Sequence, residues 1–191
     1  MVKYQDYTIL CEAELDYLRE TVKSVPAGDV VVCGTLRGGD VMAMMDVSPD
    51  RNYVVVDSFK GLSEPHKVKD NGTPHKASEF SIEGGRPAFE KNFKRAKAPL
   101  PQEIHQMYIT EESIKVVKDR PVSLVWADLD FWEPTLSVFN HFAPMLVKDG
   151  KILTHDLDFS HTPGIRTAVH DSKLPFVRVE PFNIGLYVKR S

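Results

Sequence analysis

Two hydrophobic patterns alternate along the chain. From Leu10 to Val25, apolar residues recur at intervals of three to five between charged ones, which predicts an amphipathic helix that stops at Pro26. Residues 29–34 follow as a short β-branched run that ends in glycine, the pattern of a strand buried on both faces of a parallel sheet. A parallel sheet requires crossover connections, so helices are expected between such strands.

The alternation continues along the rest of the chain. Strands are predicted at residues 53–57, 104–109, 122–128, 151–156, 176–180 and 185–189. Helices are predicted at residues 40–47, 87–98, 111–118, 133–147 and 165–171, with Gly150 as the C-cap after the fourth of these. The last two strands leave no room for a helix between them and are expected to form a hairpin. This order predicts an α/β fold, a three-layer α/β/α sandwich with a mostly parallel, seven-stranded sheet and an antiparallel C-terminal hairpin.

The length of 191 residues predicts a single domain, residues 1–191, in which residues 1–28 form an N-terminal helical extension. Such a short extension would leave only a minimal arm for substrate recognition or oligomerisation, and a homo-oligomer stays compatible with the sequence. Residues 60–86 are polar and too long for an ordinary connection, so they are expected to form either a lid over a site or a disordered loop. We predict a lid.

The composition and net charge indicate which kinds of molecule the protein binds. Hydrophobic residues make up 42% and charged residues 27% of the chain, as in proteins with an ordinary buried core. The net charge of −3 leaves no basic surplus, so we expect a small-molecule partner and neither nucleic acid nor a membrane. Two cysteines, Cys11 and Cys33, are too few for a disulfide scaffold and fit a reducing compartment. Without a signal-peptide pattern or a run of about 20 apolar residues, a cytoplasmic location is expected.

The glycine-rich segment after the first strand is the first candidate site. Ligands of open α/β sheets bind beyond the carboxyl ends of the strands, and here Gly34, Gly38 and Gly39 lack the spacing of a dinucleotide or phosphate loop. Backbone N–H groups at this helix start can bind a small carboxylate, and Asp57, 23 residues after Gly34, can accept hydrogen bonds from a ribose diol. S-adenosylmethionine has both groups. Alternatively, the glycines only form a tight turn and Asp57 caps a helix.

Acidic residues follow two further strands. Asp128 and Asp130 come at the end of the fourth strand, and Asp156 and Asp158 at the end of the fifth. If these strands pair, the carboxylates adjoin and repel one another, so a divalent metal such as Mg²⁺ is expected between them. Alternatively, they are solvated helix caps, with Asp130 and Asp158 pointing away.

Several motifs, in order, resemble those of one enzyme family. From about Val30 to Tyr187 the chain is similar to class I S-adenosylmethionine-dependent methyltransferases and, within them, to the macrocin O-methyltransferase (TylF-like) family. The resemblance is carried by CGTLRGG at residues 33–39, VDSFKGL at 56–62, DLDFWEPT at 128–135, LVKDGKI at 146–152 and PGIRTAV at 163–169. It implies a Rossmann-like methyltransferase fold and an O-methyltransferase that acts on a hydroxyl group of a small molecule, such as a sugar or another natural product.

The resemblance also implies roles for individual residues, with S-adenosylmethionine and a divalent metal, Mg²⁺ or Mn²⁺, as cofactors. The residues expected to bind S-adenosylmethionine are Cys33, Gly34, Thr35, Arg37, Gly38, Gly39, Asp57, Ser58 and Asp128. The implied metal ligands are Asp128, His155 and Asp156, and the implied catalytic residues are Asp130, as the base, and His155.

Two positions depart from the family's pattern. Val32 stands where the family usually has a glutamate, and His155 replaces the first of two paired aspartates. A histidine can admit Mn²⁺, Fe²⁺ or Zn²⁺ instead of Mg²⁺, or can act as a base outside the metal shell. Two other interpretations therefore stay open, a non-catalytic binding module and an enzyme that binds a nucleotide or nucleotide sugar at the same edge of the sheet.

Overall fold

A mixed β-sheet forms the middle layer of the protein, whose structure, a computed structural model, describes residues 4–190. Within that range the strands are β1 (Asp29–Cys33), β2 (Tyr53–Asp57), β3 (Glu103–Gln106), β4 (Val122–Ala127), β5 (Leu146–Thr154), β6 (Val177–Val179) and β7 (Ile184–Val188). Their order is β3-β2-β1-β4-β5-β7-β6, and β7 runs antiparallel to β5 and β6 while the other neighbours are parallel. The predicted seven-stranded sheet with its antiparallel hairpin is confirmed. The strand order reverses between β1 and β4, where α/β sheets bind ligands.

Helices cover both faces of the sheet. They are α1 (Glu12–Ser24), α2 (Gly39–Val47), α3 (Gly85–Ala96), α4 (Trp132–Phe142) and α5 (Pro163–Ser172). Because successive strand residues point to opposite faces, Val30 and Val32 pack with α1, α2 and α3, whereas Val31 and Cys33 pack with α4 and α5. The three predicted layers are confirmed. None of the helices within residues 4–190 is long and apolar enough to cross a membrane.

The prediction of a helix at residues 111–118 is wrong, because only a short 3-10 helix, Ser113–Val116, forms there. The hydroxyl of Ser113 donates to the carbonyl oxygen of Tyr108 at 2.7 Å and accepts from the backbone N–H of Thr110 at 2.9 Å. Such side-chain bonds to nearby backbone compete with the hydrogen bonds of a helix.

The helix predicted at residues 133–147 ends early, at Phe142. Leu146 already belongs to β5, because it pairs with Val122 of β4. Gly150 is therefore not a helix cap but lies inside β5, where a Cβ atom would come within 2.8 Å of the carbonyl oxygen of Val147. A close approach of backbone segments, rather than a left-handed turn, explains this glycine.

The segment between β2 and α3, residues 60–84, is named the strap here. Its Asp70 is 2% exposed and accepts hydrogen bonds from the backbone N–H groups of Trp132, at 2.8 Å, and His66, at 2.7 Å. Beside it, Nζ of Lys69 lies 2.7 Å from a carboxylate oxygen of Asp171. The strap is therefore tied to α4 and α5, and its role as a lid stays a prediction.

Candidate functional site

A cavity of about 440 Å³ opens at the carboxyl ends of β1, β2, β4 and β5. Its volume lies within the roughly 300–1,000 Å³ typical of small-molecule sites. Polar groups from all four strand ends face it, among them Gly34, Asp57, Asp128 and His155. The cavity thus lies at the switch point of the sheet, where the sequence predicted the ligand.

The loop after β1 is shaped by one glycine and one carboxylate. Gly34 has a φ of +77°, and a Cβ atom there would lie 1.9 Å from the carbonyl oxygen of Asp128, so only glycine lets the two loops approach. Asp57 accepts hydrogen bonds from the N–H groups of Thr35, at 2.8 Å, and Phe59, at 2.6 Å. Burial raises the pKa of Asp57. Asp57 therefore connects the end of β2 to the glycine loop, and Ser58 beside it also lines the cavity.

Four other residues predicted to bind the cofactor do not line the cavity: Cys33, Arg37, Gly38 and Gly39. The side chain of Cys33 is buried among the residues under α4 and α5. A Cβ atom at Gly38 would lie 2.6 Å from the ring of Phe93, and one at Gly39 would lie 2.6 Å from the carbonyl oxygen of Tyr4. These two glycines allow α2 to pack closely against its neighbours.

The implied metal ligands meet at one wall of the cavity. Ala127 of β4 pairs with Thr154 of β5, which brings the next residues, Asp128 and His155, side by side. Nδ1 of His155 lies 3.4 Å from Oδ1 of Asp128 and 3.1 Å from Oδ1 of Asp156. One donor atom from each of the three lies within 4.8 Å of the others. Two carboxylates and an imidazole so arranged can bind one divalent cation.

The other ring nitrogen of His155 faces a residue that sequence reasoning missed. Nε2 lies 3.2 Å from Oε1 of Glu14 on α1, whose Oε2 accepts the backbone N–H of Cys11 at 2.9 Å. The hydrogen bond with His155 lowers the pKa of Glu14 to about 2. Burial opposes protonation of His155, but Asp128, Asp156 and Glu14 outweigh it and raise its pKa. A capping-box pattern marks Glu14 in the sequence, but nothing there shows that its side chain reaches β5.

Asp130 and Asp158 have different surroundings. Asp130 lines the cavity, and burial followed by the charges of Asp128 and Asp156 raises its pKa well above the ordinary value. Asp158 instead pairs with Arg166, at 2.8 Å, and Arg178, at 3.1 Å. Asp130 thus belongs to the acidic group in the cavity, whereas Asp158 forms ion pairs at the surface.

Comparison with known proteins identifies a matching family model and similar solved structures. The family model Macrocin-O-methyltransferase (TylF) matches residues 4–176. The crystal structure of CalS11, a calicheamicin methyltransferase, is 20% identical, with 92% of this chain and 77% of that chain covered and a TM-score of 0.75. The O-methyltransferase NovP is 18% identical, with 97% and 83% covered and a TM-score of 0.75. An apo structure of CalS11, described as a TDP-rhamnose 3'-O-methyltransferase of calicheamicin biosynthesis, is 18% identical, with 92% and 77% covered and a TM-score of 0.65.

These likenesses confirm the Rossmann-like methyltransferase fold. Among curated protein sequences, none matches the chain.

Proposed function

The chain belongs to the macrocin O-methyltransferase (TylF) family and is an O-methyltransferase, and on that premise we propose that it methylates a hydroxyl group of a small molecule, using S-adenosylmethionine and a divalent metal. One observation carries the proposal. The start of the glycine loop at Gly34 and Thr35, the carboxylate of Asp57, and the group formed by Asp128, His155 and Asp156 all face one cavity.

The residues of the loop fit S-adenosylmethionine. Gly34 has no side chain to fill the space between the loop and Asp128, and the carboxylate of Asp57 is held at the cavity wall by Thr35 and Phe59. Asp57 would accept hydrogen bonds from the ribose diol, as acids at this position of α/β folds do. When bound, S-adenosylmethionine supplies an electrophilic methyl group on a positively charged sulfur.

The metal-binding group fits a cation that accepts both oxygen and nitrogen ligands. Carboxylates suit Mg²⁺ and Mn²⁺, whereas imidazole suits transition metals, so the set of Asp128, Asp156 and His155 favours Mn²⁺ over Mg²⁺. A divalent cation bound there supplies positive charge that lowers the pKa of an acceptor hydroxyl. We propose that His155 is a ligand through Nδ1, because its Nε2 faces the carboxylate of Glu14.

Asp130 is the residue that we propose as the general base. Its carboxyl group lines the cavity beside Asp128 and Asp156 and is not among the proposed metal ligands, so it stays available to accept a proton. We propose that Asp130 would take the proton of the acceptor hydroxyl as the methyl group passes from sulfur to the acceptor oxygen, so that the carbon–sulfur bond breaks and S-adenosylhomocysteine leaves. The remaining task of the protein is alignment of oxygen, carbon and sulfur, which can lower a barrier by roughly 7–11 kcal/mol.

The acceptor would lie at the mouth of the cavity. Phe80 of the strap and Phe159 after β5 both line the cavity and are 38% and 46% exposed. Such rings can pack on the apolar faces of a sugar or of a natural product. Since CalS11 is a TDP-rhamnose 3'-O-methyltransferase, a sugar hydroxyl is the acceptor that we propose.

Calorimetric titration of the EDTA-treated protein with S-adenosylhomocysteine, alone and with Mg²⁺ or Mn²⁺, tests this function without knowledge of the acceptor. We expect micromolar binding, and weaker binding by Asp57→Asn than by the control Asp50→Asn, which changes an exposed residue. Absence of binding by the wild-type protein under all conditions would overturn the proposal in favour of a non-catalytic or nucleotide-binding role.

A further inference from the structure

A buried carboxylate at the cavity has no role in the function proposed above. Asp40 lies in the first turn of α2, is 3% exposed and lines the cavity. Its Oδ1 accepts hydrogen bonds from Oγ1 of Thr35, at 2.5 Å, and from the N–H of Val41, at 2.8 Å. Its Oδ2 accepts from Nε1 of Trp126 at 3.1 Å. A carboxylate has about four acceptor sites, so these three donors leave Oδ2 able to accept one more.

The surroundings of Asp40 favour a cationic ligand. The ion pairs formed among residues 4–190 do not include Asp40. Burial, together with the nearby charge of Asp128, raises its pKa to about 7. A buried carboxylate is costly to ionise without a positive partner. A ligand that brings a positive charge into the cavity would supply that partner.

Thr35 is hydrogen-bonded both to Asp40 and to Asp57, the residue proposed to bind the ribose. Its N–H donates to Asp57 and its hydroxyl donates to Asp40, so the two carboxylates flank one loop residue. Asp57 is the residue that we assign to the ribose. Asp40 lies towards Trp126 and Asp128, on the side of the proposed metal ligands. In S-adenosylmethionine, the group beyond the sulfur from the ribose is the amino acid, with its α-ammonium.

We propose that Asp40 binds the α-ammonium group of the methionyl part of S-adenosylmethionine. The inference rests on the proposed function, because it presumes that this cofactor occupies the cavity. The end of β1 cannot serve instead, since Val32, which pairs with Trp126, presents only an apolar side chain. Asp40 thus makes α2, rather than β1, the source of the acid that recognises the amino acid.

The test compares two ligands that differ in the amino acid alone. S-adenosylhomocysteine carries the α-ammonium, whereas 5′-methylthioadenosine keeps the adenosine and thioether without it. Calorimetry on the wild-type protein and Asp40→Asn is expected to show S-adenosylhomocysteine binding weakened roughly tenfold to a hundredfold by the substitution, the range for a hydrogen bond to a charged group. Binding of 5′-methylthioadenosine is expected to stay unchanged. The control Asp46→Asn alters an exposed carboxyl of the same helix and should change neither.

A second variant is needed in case Asp40→Asn does not fold, because the NH₂ group of asparagine could face one of the donors that now bond to Asp40. Asp40→Ser removes the negative charge and keeps a small hydroxyl group that can accept a hydrogen bond, and the same ligand discrimination is expected. Equal losses for both ligands, or undiminished binding of S-adenosylhomocysteine, would overturn the inference and leave the proposed function standing. A wild-type protein that binds neither ligand would overturn both.

Discussion

Nε2 of His155 lies 3.2 Å from Oε1 of Glu14, a residue 141 positions earlier in the chain. Glu14 is the only group on α1 in the described range that contacts the proposed metal ligands through an ion pair. A carboxylate that holds one nitrogen of a histidine orients the ring and leaves the other nitrogen for a metal. The N-terminal helix therefore takes part in the site.

We expect Glu14→Gln to weaken Mn²⁺ binding by roughly tenfold to a hundredfold, the usual effect of removing such a supporting carboxylate. Calorimetric titration with Mn²⁺ measures the change. Glu20→Gln is the matched control, because Glu20 lies on the same helix and pairs only with Lys23 among the ion pairs of residues 4–190. In a His155→Asp background, Glu14→Gln should have little effect. A loss of the same size in both backgrounds would show that Glu14 does not act through His155.

Asp130→Asn is expected to lower kcat by roughly 10²–10⁴-fold, the usual contribution of a general base. Binding of S-adenosylhomocysteine and Mn²⁺ should persist, because Asp130 is not among the proposed ligands. Steady-state assays with an acceptor identified by a sugar screen measure kcat. Asp158→Asn, which removes a surface ion-pair partner of Arg166 and Arg178, is the control. An unchanged kcat for Asp130→Asn would exclude it as the base.

Alanine substitutions at Gly34 and Gly72 allow the cost of a strained backbone to be measured apart from the cost of a steric clash. Both have positive φ, +77° for Gly34 and +94° for Gly72, but only at Gly34 would a Cβ atom meet another residue, Asp128, whereas none lies within 4 Å at Gly72. Gly72→Ala should therefore cost about 1–2 kcal/mol of unfolding free energy, from the left-handed conformation alone. Gly34→Ala should cost more and should abolish binding of S-adenosylhomocysteine. Urea denaturation measures both, and equal costs would contradict the contact.

The attachment of the strap should depend on pH. Lys69, followed by His170 and Trp132, holds the pKa of Asp171 at about 2, below its ordinary value of 3.8. Because the folded protein keeps this carboxylate ionised at lower pH than the unfolded chain, its stabilising effect is complete above pH 3.8 and is lost as the pH falls through 2. The difference in urea midpoint between the wild-type protein and Asp171→Asn should follow that course. A difference that is constant down to pH 2 would refute the ion pair.

Much of the fold is encoded in local patterns. The run Tyr53–Asp57 became β2 with the predicted bounds, because β-branched residues suit a strand buried on both faces. The predicted end of α4 failed where a partner strand intervened, since pairing of Leu146 with Val122 outweighs the helical preference of the preceding residues. Strand pairing depends on residues distant in sequence, which a local pattern does not contain.

Local patterns in the sequence are enough to predict the order of the elements and the edge of the sheet at which Asp57, Asp128 and Asp156 lie. Both follow from hydrophobic periodicity and from the common direction of parallel strands. No local pattern predicts that Glu14 and Asp40 line the same cavity. Glu14 and Asp40 reach the cavity because α1 and α2 pack on the sheet. There Glu14 contacts His155 and Asp40 contacts Trp126, and both partners are distant in sequence.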